Sequence, residues 1–397
     1  MLCNRFIQVQ HDKSKSRLRR LNNGLPQGSV FLPILFNIYT RDLPTTRCKY
    51  FIYADDLVIC YQAKSFDEIE KILEEDLKVI REYYTSWRLK MNAEKTTTCF
   101  FHLNNSEAKR SPRIVLDSVV LNHDEFPKYL GIRLDRTLSY NKHLNEVAMK
   151  VRTRCNMLQK LCGTNWGANA EVLRQSTISL INSVADYGCP VWFHSSHVNQ
   201  VDIQLNIAMR IITGVTRNTP LAWLPVLSNI VPPDLRRKSA FKSLILNANT
   251  TKNSLLYNIL QDEPYQRLNS KETISTKLSK LTNFDVLLEW KNNWLNEHLV
   301  NNEFINNPCN KLNGFDLSRN VWIRLNRIRT NIGNCGYWLK KWNINESEEC
   351  DCGAESQTIS HLIKECQIRK YNGEFSEIFH CSNDKAHDYV LLFDINL

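Results

Sequence analysis

The sequence predicts an α+β fold in its N-terminal third, followed by a long all-helical region and a small C-terminal unit. Short β-rich segments alternate with one long amphipathic helix over residues 50–134, which is typical of an α+β layer. From about residue 137, apolar residues recur every three or four positions, as on one face of a helix. Near the C-terminus, a cluster of cysteine and histidine residues indicates a further small unit.

The first elements are predicted from their residue patterns. Gly24–Gly28 reads Gly-Leu-Pro-Gln-Gly, a turn, and the apolar run Val30–Tyr39 that follows fits a helical face. Tyr50–Tyr61 has two β-rich apolar arms with Asp55 and Asp56 between them. Such a segment predicts a buried hairpin with acidic residues at its middle.

A long helix and several short strands are predicted next. Ser65 and Glu68 have the spacing of a capping box, in which two side chains bind the unpaired N–H groups of a helix start. The apolar residues that follow have the 3–4 spacing of one buried face. The expected strands cover residues 97–103, 114–116, 119–121 and 129–134.

Composition and charge exclude several classes of protein. The 397 residues are 43% apolar and 23% charged, which is ordinary for a globular protein and argues against a disordered chain. At roughly 150 residues per domain, this length predicts two or three domains. The net charge of +10 favours a polyanionic partner. No apolar run approaches the roughly 18 residues of a membrane span, so a membrane partner is not expected.

The cysteine content bears on the cellular compartment. Thirteen cysteines are an odd number, and Met1–Arg5 lacks the apolar region of a secretory signal. We therefore expect mostly free thiols and an intracellular protein, nuclear or cytoplasmic rather than secreted. The sequence does not determine an oligomeric state.

The paired aspartates favour a divalent cation. Burying an ionised carboxylate without a partner is costly, and no Lys or Arg lies between Lys49 and Lys64 to compensate. Mg²⁺ binds a few carboxylates together with phosphate oxygens, which is the arrangement that nucleotidyl transfer needs. Alternatively, Asp55 and Asp56 form the polar tip of an exposed hairpin.

Four blocks, in order along the chain, resemble those of reverse transcriptases. Residues 24–39 resemble the block that contacts template and incoming nucleotide, and Tyr53–Asp56, which reads Tyr-Ala-Asp-Asp, resembles the catalytic box. Residues 89–96 and 129–135 resemble the next two blocks. The blocks are similar to those of non-LTR (LINE-type) retrotransposons of the jockey kind. The resemblance implies an RNA-directed DNA polymerase that uses an RNA template, a DNA primer, deoxynucleoside triphosphates and Mg²⁺ or Mn²⁺.

The resemblance also implies a domain organisation. Residues 1–135 would form a partial right-hand polymerase palm, an antiparallel sheet with helices, and residues 136–246 a helical thumb or connection. A linker, 247–283, would lead to a C-terminal helical region with a Cys/His knuckle, 284–397. In the family, the fingers and a further essential aspartate precede the Gly-Leu-Pro-Gln-Gly block, whereas here Asp12 is the one acid before it. We therefore expect an N-terminally truncated enzyme with impaired nucleotidyl transfer.

Roles of individual residues follow from the same resemblance. Asp55 would bind the catalytic metal, and Asp56 would contribute to metal or primer-end geometry. Lys95 would lie near the incoming triphosphate. Template and nucleotide would be contacted by Pro26, Gln27, Gly28, Ser29 and Tyr53, and the primer would be gripped by Tyr129, Leu130 and Gly131.

The segment 136–162 is strongly basic, with six Lys or Arg residues against Glu146. By the resemblance it would lie along the thumb and follow nucleic-acid phosphates, a sequence-independent and salt-sensitive role. An ordinary exposed helix face remains the alternative. The expected backbone contacts are Lys142, Lys150, Arg152 and Arg154.

Cys350, Cys352, His361 and Cys366 have the composition of a tetrahedral Cys₃His zinc site. Gly353 permits the tight turn that such a knuckle needs. The Cys-x-Cys spacing is tighter than the common Cys-x₂-Cys, so buried thiols without a metal remain an alternative. The flanking sequence resembles the C-terminal knuckle of the same retrotransposon group, which implies Zn²⁺.

Basic and aromatic residues flank this cluster. Arg327 and Arg329, with Trp338 and Trp342, could bind nucleic acid by charge and stacking. Equally, the tryptophans could be the core of the small unit. A second hypothesis for the whole chain is therefore a non-catalytic nucleic-acid-binding remnant that acts through the basic thumb and the knuckle.

Overall fold

The computed structural model describes residues 5–21, 24, 28–163, 166–251, 255–261, 281, 283–380 and 384–393. The chain divides into two units. The first comprises Met1–Pro127 with Asp135–Leu138, and the second comprises Lys128–Leu134 with Ser139–Leu397. A helix able to cross a bilayer is not found among the described residues.

The strands of the first unit form separate two-stranded ladders. They are β1 Arg5–Ile7, β2 Gln10–His11, β3 Ser14–Lys15, β4 Arg19–Leu21, β5 Lys49–Tyr53, β6 Asp56–Cys60, β7 Thr97–Thr98, β8 Val115–Leu116, β9 Val119–Val120 and β10 Asn122–His123. The pairs β1–β4, β2–β3, β5–β6 and β8–β9 are antiparallel, and β7–β10 is parallel. Among the described residues, the expected antiparallel sheet is therefore replaced by separate two-stranded ladders. Most of these strands have two or three residues, too few to bury a continuous apolar face.

The described part of the first unit contains two helices, α1 Leu32–Tyr39 and α2 Phe66–Ser86. The apolar face predicted for α2 is confirmed at Ile72, Leu77 and Ile80, which are buried. Leu77 packs with residues of β8 and its neighbours in the small core of this unit. By contrast, α1 has no buried residue despite its apolar sequence. The predicted capping box is wrong in its contacts, because the Ser65 side chain makes no cap hydrogen bond.

The second unit begins with a hairpin, β11 Lys128–Tyr129 and β12 Ile132–Arg133, and is otherwise helical in its described part. The helical prediction beyond residue 137 is therefore confirmed there. The helices are α3 Asn141–Gln159, α4 Ala170–Ser176 (continued by a π-helical segment, Thr177–Asn182), α5 Ser183–Ala185, α6 Cys189–Trp192, α7 Asn199–Thr213, α8 Trp223–Ser228, α9 Pro233–Thr250, α10 Leu255–Gln261, α11 Val286–Leu295, a 3₁₀ turn at Asn302–Phe304, α12 Arg319–Thr330, α13 Gly336–Lys341, α14 Ile359–Lys364, α15 Phe375–His380 and α16 Asp384–Leu392.

One apolar core runs through most of the second unit. It contains α3 and α7 residues such as Leu144 and Leu205, together with Trp294 and Trp322 from the C-terminal helices. A second core surrounds the Cys/His cluster. Most of the predicted linker, 247–283, lies outside the described residues, and the division into four domains stays a prediction.

The polar side chains of α12 cap the C-terminal end of α7. Arg319 donates to the carbonyls of Ile212 (2.6 Å) and Ile211 (2.5 Å), and Asn326 donates to that of Thr213 (3.0 Å). The last carbonyls of a helix lack intrahelical partners and carry partial negative charge, so a guanidinium stabilises them. The C-terminal helices are thereby joined to the preceding helices by hydrogen bonds as well as by the apolar core.

Candidate functional site

The hairpin formed by β5 and β6 carries the two aspartates at its turn. Tyr53 pairs with Asp56 across the ladder, which leaves Ala54 and Asp55 as the connecting residues. Ala54 has a φ of +51°, in the left-handed region that non-glycine residues rarely adopt. The chain therefore reverses directly beside both carboxylates, and strand alternation does not force them onto opposite faces.

Both aspartates are exposed, so the predicted burial of the hairpin is wrong. Ile59 of β6 packs against the small core, whereas Ile52 and Tyr53 at the end of β5 are exposed. Water can solvate the two carboxylates, and desolvation therefore does not demand a compensating cation. Their expected metal-binding role therefore rests on the resemblance of Tyr53–Asp56 to a catalytic box and on the exposure of both carboxylates to solvent.

The turn before α1 is described only in part. Pro26 and Gln27 lie outside the described residues. Gly28 is exposed with a φ of +82° and no heavy atom within 4 Å of where a Cβ would be. Its conformation thus suits glycine. Ser29 Oγ accepts a hydrogen bond from the Phe31 N–H at 3.3 Å, which orders the chain just before the helix.

Lys95 lies in a turn that Asn92 organises. The Lys95 N–H donates to Asn92 Oδ1 at 3.1 Å, and the Thr96 N–H donates to the Asn92 carbonyl at 3.0 Å. The Lys95 side chain is exposed. Its expected place near a triphosphate is accordingly accessible from solvent and stays a prediction.

The β11–β12 hairpin carries the residues expected to grip the primer. Its turn residues Leu130 and Gly131 have φ values of +46° and +85°. Tyr187 Oη donates to the Leu130 carbonyl at 2.9 Å, and a Cβ on Gly131 would lie 3.1 Å from the Tyr187 ring. Next along the chain, a Cβ on Gly188 would lie 2.7 Å from Ile132 Cδ1. Sequence reasoning missed Tyr187 and Gly188, because no local pattern links them to a turn that precedes them by more than fifty residues.

The basic residues of α3 have different surroundings. Lys142, Lys150 and Arg152 are exposed. Arg154 is half-buried and donates to the Leu180 carbonyl; its expected contact with a nucleic-acid backbone stays a prediction. Glu146, the one acid of α3, pairs with Arg133 at 2.7 Å. The outward charge of this helix is therefore positive.

The four predicted zinc ligands lie together. One ligand atom from each of Cys350, Cys352, His361 and Cys366 lies within 4.8 Å of the others. The Sγ atoms of Cys350 and Cys366 are 3.9 Å apart, and Cys352 Sγ lies 3.2 Å from His361 Nε2. Tetrahedral zinc with Zn–S bonds of about 2.3 Å separates its sulfur ligands by roughly 3.8 Å, so the donor set fits.

Local hydrogen bonds shape this cluster. Gly353, with a φ of +87°, donates its N–H to the Cys350 carbonyl at 2.8 Å and turns the chain sharply after Cys352. Thr358 caps α14 by accepting the His361 N–H at 3.1 Å, which places His361 on the first helical turn. After the helix, the Cys366 N–H donates a hydrogen bond to the His361 carbonyl at 2.8 Å.

Surrounding groups favour metal coordination. His361 Nδ1 lies 3.6 Å from Glu365 Oε2, which is longer than a hydrogen bond but leaves a carboxylate near the second ring nitrogen, where metal-bound histidines commonly have one. Burial raises the pKa of Cys350. Burial also acts to raise the pKa of Cys366, but backbone N–H groups of Ile368 and Arg369 and the neighbouring thiols outweigh it and lower that pKa. A lowered thiol pKa favours the thiolate that a metal binds.

Arg329 is fully buried, so its suggested contact with nucleic acid is wrong. It donates to the carbonyls of Phe379 and Asn313, both at 2.8 Å. Burial lowers the pKa of the half-buried Arg327 to about 10. Trp338 and Trp342 are also half-buried, and Lys341 Nζ lies 4.8 Å from the Trp338 ring centroid.

Comparison with known proteins shows which family the N-terminal third of the chain is similar to. Residues 1–134 match the family described as "Reverse transcriptase (RNA-dependent DNA polymerase)". This span contains the Tyr53–Asp56 box and the turn at Gly28. The chain is similar to reverse transcriptases of non-LTR retrotransposons.

Individual relatives agree. The chain is 29% identical to the probable RNA-directed DNA polymerase from transposon BS of Drosophila melanogaster, over 52% of this chain and 24% of that protein. It is 26% identical to the RNA-directed DNA polymerase from mobile element jockey of Drosophila funebris, over 53% and 24%. A Pol polyprotein from retrotransposable element R1 of Bradysia coprophila is 23% identical over 89% of this chain and 36% of its own length. The chain thus spans about a quarter of the first two relatives, and no solved structure matches it.

Proposed function

We propose that this chain carries the catalytic box and thumb of an RNA-directed DNA polymerase from a non-LTR retrotransposon. The observation that supports this most strongly is the reverse transcriptase match over residues 1–134, which contain Asp55 and Asp56. The proposed substrates are an RNA template, a DNA primer and deoxynucleoside triphosphates. The proposed location is intracellular, nuclear or cytoplasmic.

In this proposal the acidic hairpin holds Mg²⁺ or Mn²⁺. Asp55 is the metal-binding carboxylate, and Asp56 contributes to metal or primer-end geometry. Their exposure leaves both accessible to a nucleotide that brings its own phosphate ligands. The bound metal would stabilise charge that develops on the transferred phosphoryl group.

Contacts to substrate come from several elements. The backbone at Gly28 and Ser29, together with Pro26 and Gln27, approaches the template and the nucleotide. Tyr53 also contacts them. Lys95 pairs with the triphosphate, an interaction suited to an exposed ammonium group. The turn Tyr129–Gly131 grips the primer, and the basic face of α3 follows phosphates.

Nucleotidyl transfer by this chain is expected to be weak. Two-metal transfer uses carboxylates from separate elements. Asp12, the one acid among residues 5–21, lies in the exposed β2–β3 turn, where its carboxylate is 3.7 Å from Nδ1 of its exposed neighbour His11. A purified-protein primer-extension assay tests this, with Asp55→Asn as the control. Robust synthesis that Asp55→Asn abolishes would contradict the impairment while supporting the polymerase assignment.

Nucleic-acid binding tests the function more directly. The proposal predicts salt-dependent binding of a labelled RNA–DNA hybrid, weakened when Lys150 and Arg152 are both replaced by Gln because fewer counterions are released. Fluorescence anisotropy at several salt concentrations measures this. Failure to bind the hybrid even at low salt would overturn the proposed function.

A second candidate function is a non-catalytic nucleic-acid-binding remnant. It is favoured by the convergence of the four Cys/His ligands and by the exposed basic face of α3. In this alternative, Zn²⁺ bound at Cys350, Cys352, His361 and Cys366 stabilises the C-terminal knuckle. A Cys₃His site with four protein ligands leaves no open position and is structural rather than catalytic. Hybrid binding without any Asp55-dependent extension would favour this alternative.

A further inference from the structure

The loop between α3 and α4 holds the most exposed tryptophan of the chain. Trp166 is 63% exposed. Of the other eight tryptophans, Trp87 at 38% is the next, and the remaining seven are buried or half-buried. Exposing an indole to water forgoes a large apolar contribution to stability. Its exposure leaves the indole available to a partner.

The loop supports Trp166 with a defined set of backbone hydrogen bonds. The Gly163 N–H donates to the Trp166 carbonyl at 2.9 Å, and the Ala168 N–H donates to the Leu161 carbonyl at 3.0 Å. Cys162 and Gly167 form a β-bridge between the two sides of the loop. These contacts link Leu161, Cys162 and Gly163 to Trp166, Gly167 and Ala168.

Two glycines and one arginine complete the support. A Cβ on Gly163 would lie 2.4 Å from Trp166 Nε1, so the indole rests directly on that glycine. Gly167 has a φ of +106°, and a Cβ there would lie 2.5 Å from the Leu161 carbonyl oxygen. Arg319 Nε donates to the Gly163 carbonyl at 3.3 Å and so joins the loop to α12. An aromatic side chain held in place in this way loses little further entropy when it binds a partner.

The helix that leads into this loop is basic. Lys150, Arg152 and Lys160 are exposed along α3 and at its C-terminal end. The one acid of the helix, Glu146, is paired with Arg133. Exposed cations on a helix, followed in the chain by a loop with an exposed indole, are complementary to a nucleic-acid strand, in which phosphates alternate with flat bases.

We propose that Trp166 is a stacking platform for an unpaired base of a nucleic-acid strand whose phosphates follow α3. The inference rests on the proposed nucleic-acid binding and adds a residue and a preference to it. A base within a continuous duplex is covered on both faces by its neighbours, so stacking on Trp166 requires a single-stranded segment. The phosphate contacts of α3 serve single strands and duplexes alike.

Anisotropy titrations of the full chain test this preference. The probes are a labelled oligothymidylate and a labelled DNA duplex of the same length. Trp166→Ala is expected to weaken binding of the single strand roughly 5- to 100-fold, the range typical of one base–aromatic stack, and to change duplex binding by less than about twofold. Trp166→Phe keeps a ring and is expected to retain most of the affinity. Trp87→Phe, the next most exposed tryptophan, is the matched control and is expected to leave both affinities unchanged.

Intrinsic fluorescence gives a second readout that does not depend on the alanine variant folding. Oligothymidylate is expected to quench part of the wild-type tryptophan emission, and that part is expected to vanish in Trp166→Phe but not in Trp87→Phe. Equal quenching in the two variants, or equal losses of single-strand and duplex affinity in Trp166→Ala, would overturn the role of Trp166.

The same titrations separate this inference from the function on which it rests. If wild-type protein binds neither these probes nor the RNA–DNA hybrid, the proposed nucleic-acid binding fails and the role of Trp166 fails with it; if it binds the hybrid alone, only the role of Trp166 fails. If wild-type protein binds both probes, Lys150→Gln with Arg152→Gln weakens both, and Trp166→Ala behaves like wild type, only the stacking role is wrong.

Discussion

The acidic hairpin and the Cys/His cluster are both candidate metal sites, but they differ in how closely their ligand atoms lie and in how exposed they are. The four ligand atoms of the cluster lie within 4.8 Å of one another, and a capped helix and a glycine turn hold their backbone. Asp55 and Asp56 are neighbours on an exposed turn, where water competes with any cation. One site is assembled, whereas the other offers accessible ligands.

The origin of this difference is the distance along the chain that separates the ligands. All four ligands of the cluster lie in residues 350–366, so a turn and one short helix are enough to bring them together. A two-metal polymerase centre uses carboxylates from separate elements, whose convergence depends on the whole fold. A local pattern in the sequence can therefore predict the first kind of site far better than the second.

Replacing a cluster ligand is expected to have the largest effect. Cys366→Ser should abolish zinc binding and lower the melting temperature by many degrees, because structural zinc contributes about 10 kcal/mol or more in small knuckles. Metal analysis and calorimetry of the purified protein measure both. Cys335→Ser is the matched control, since Cys335 is a buried thiol of the same core but not a ligand. Equal zinc content in the two variants would contradict the site.

The second largest effect is expected from acid, which should remove zinc from the cluster. The pKa of Cys366 is lowered in the folded chain, so its thiolate stabilises the fold at high pH, and that contribution is lost as pH falls through the lowered pKa. Protons also compete with zinc for each ligand. A colorimetric chelator should therefore report faster release at pH 5 than at pH 8. Release independent of pH would argue against thiolate ligation.

The β11–β12 hairpin is an intermediate case, because a distant tyrosine holds it. Tyr187→Phe removes the hydrogen bond to the Leu130 carbonyl and should destabilise the turn locally by about 1 kcal/mol. Hydrogen exchange is expected to quicken for residues 128–133 with little change in melting temperature. Tyr53→Phe, at the exposed end of the acidic hairpin, is the control and should leave that exchange unchanged. Unaltered protection in Tyr187→Phe would show that the tyrosine does not hold the turn.

The smallest effect is expected at the acidic hairpin. Asp55→Asn should change the free energy of unfolding by about 0.5 kcal/mol or less, because the side chain is exposed. Asp76→Asn is the contrasting variant in the same unit. Asp76 is buried and accepts the Cys48 N–H at 2.7 Å, so its replacement should cost about 1–3 kcal/mol. Denaturant unfolding compares the two, and a large loss in Asp55→Asn would mean that the hairpin turn is structural.

Prediction from the sequence succeeded for features that depend on residues close together in the chain. The 3–4 spacing of apolar residues located α2 and the helical second unit, and the Cys/His spacing located the cluster. Prediction from the sequence failed for the burial of individual side chains. The hairpin was expected to be buried because both arms are apolar, yet only its β6 side packs against a core. Arg329 was suggested as a contact to nucleic acid, yet it is buried and donates to carbonyls of distant segments.

By itself, the sequence determined the resemblance to reverse transcriptases and the candidate zinc ligands, because the four ordered blocks and the cysteine–histidine spacing each lie in a short stretch of the chain. Only the tertiary structure decided which side chains meet. Tyr187 reaches Leu130, Arg319 reaches the end of α7, and Gly163 supports Trp166. Such contacts come from the packing of apolar faces and from the need of buried polar groups for partners, and both act between residues that are far apart in the chain.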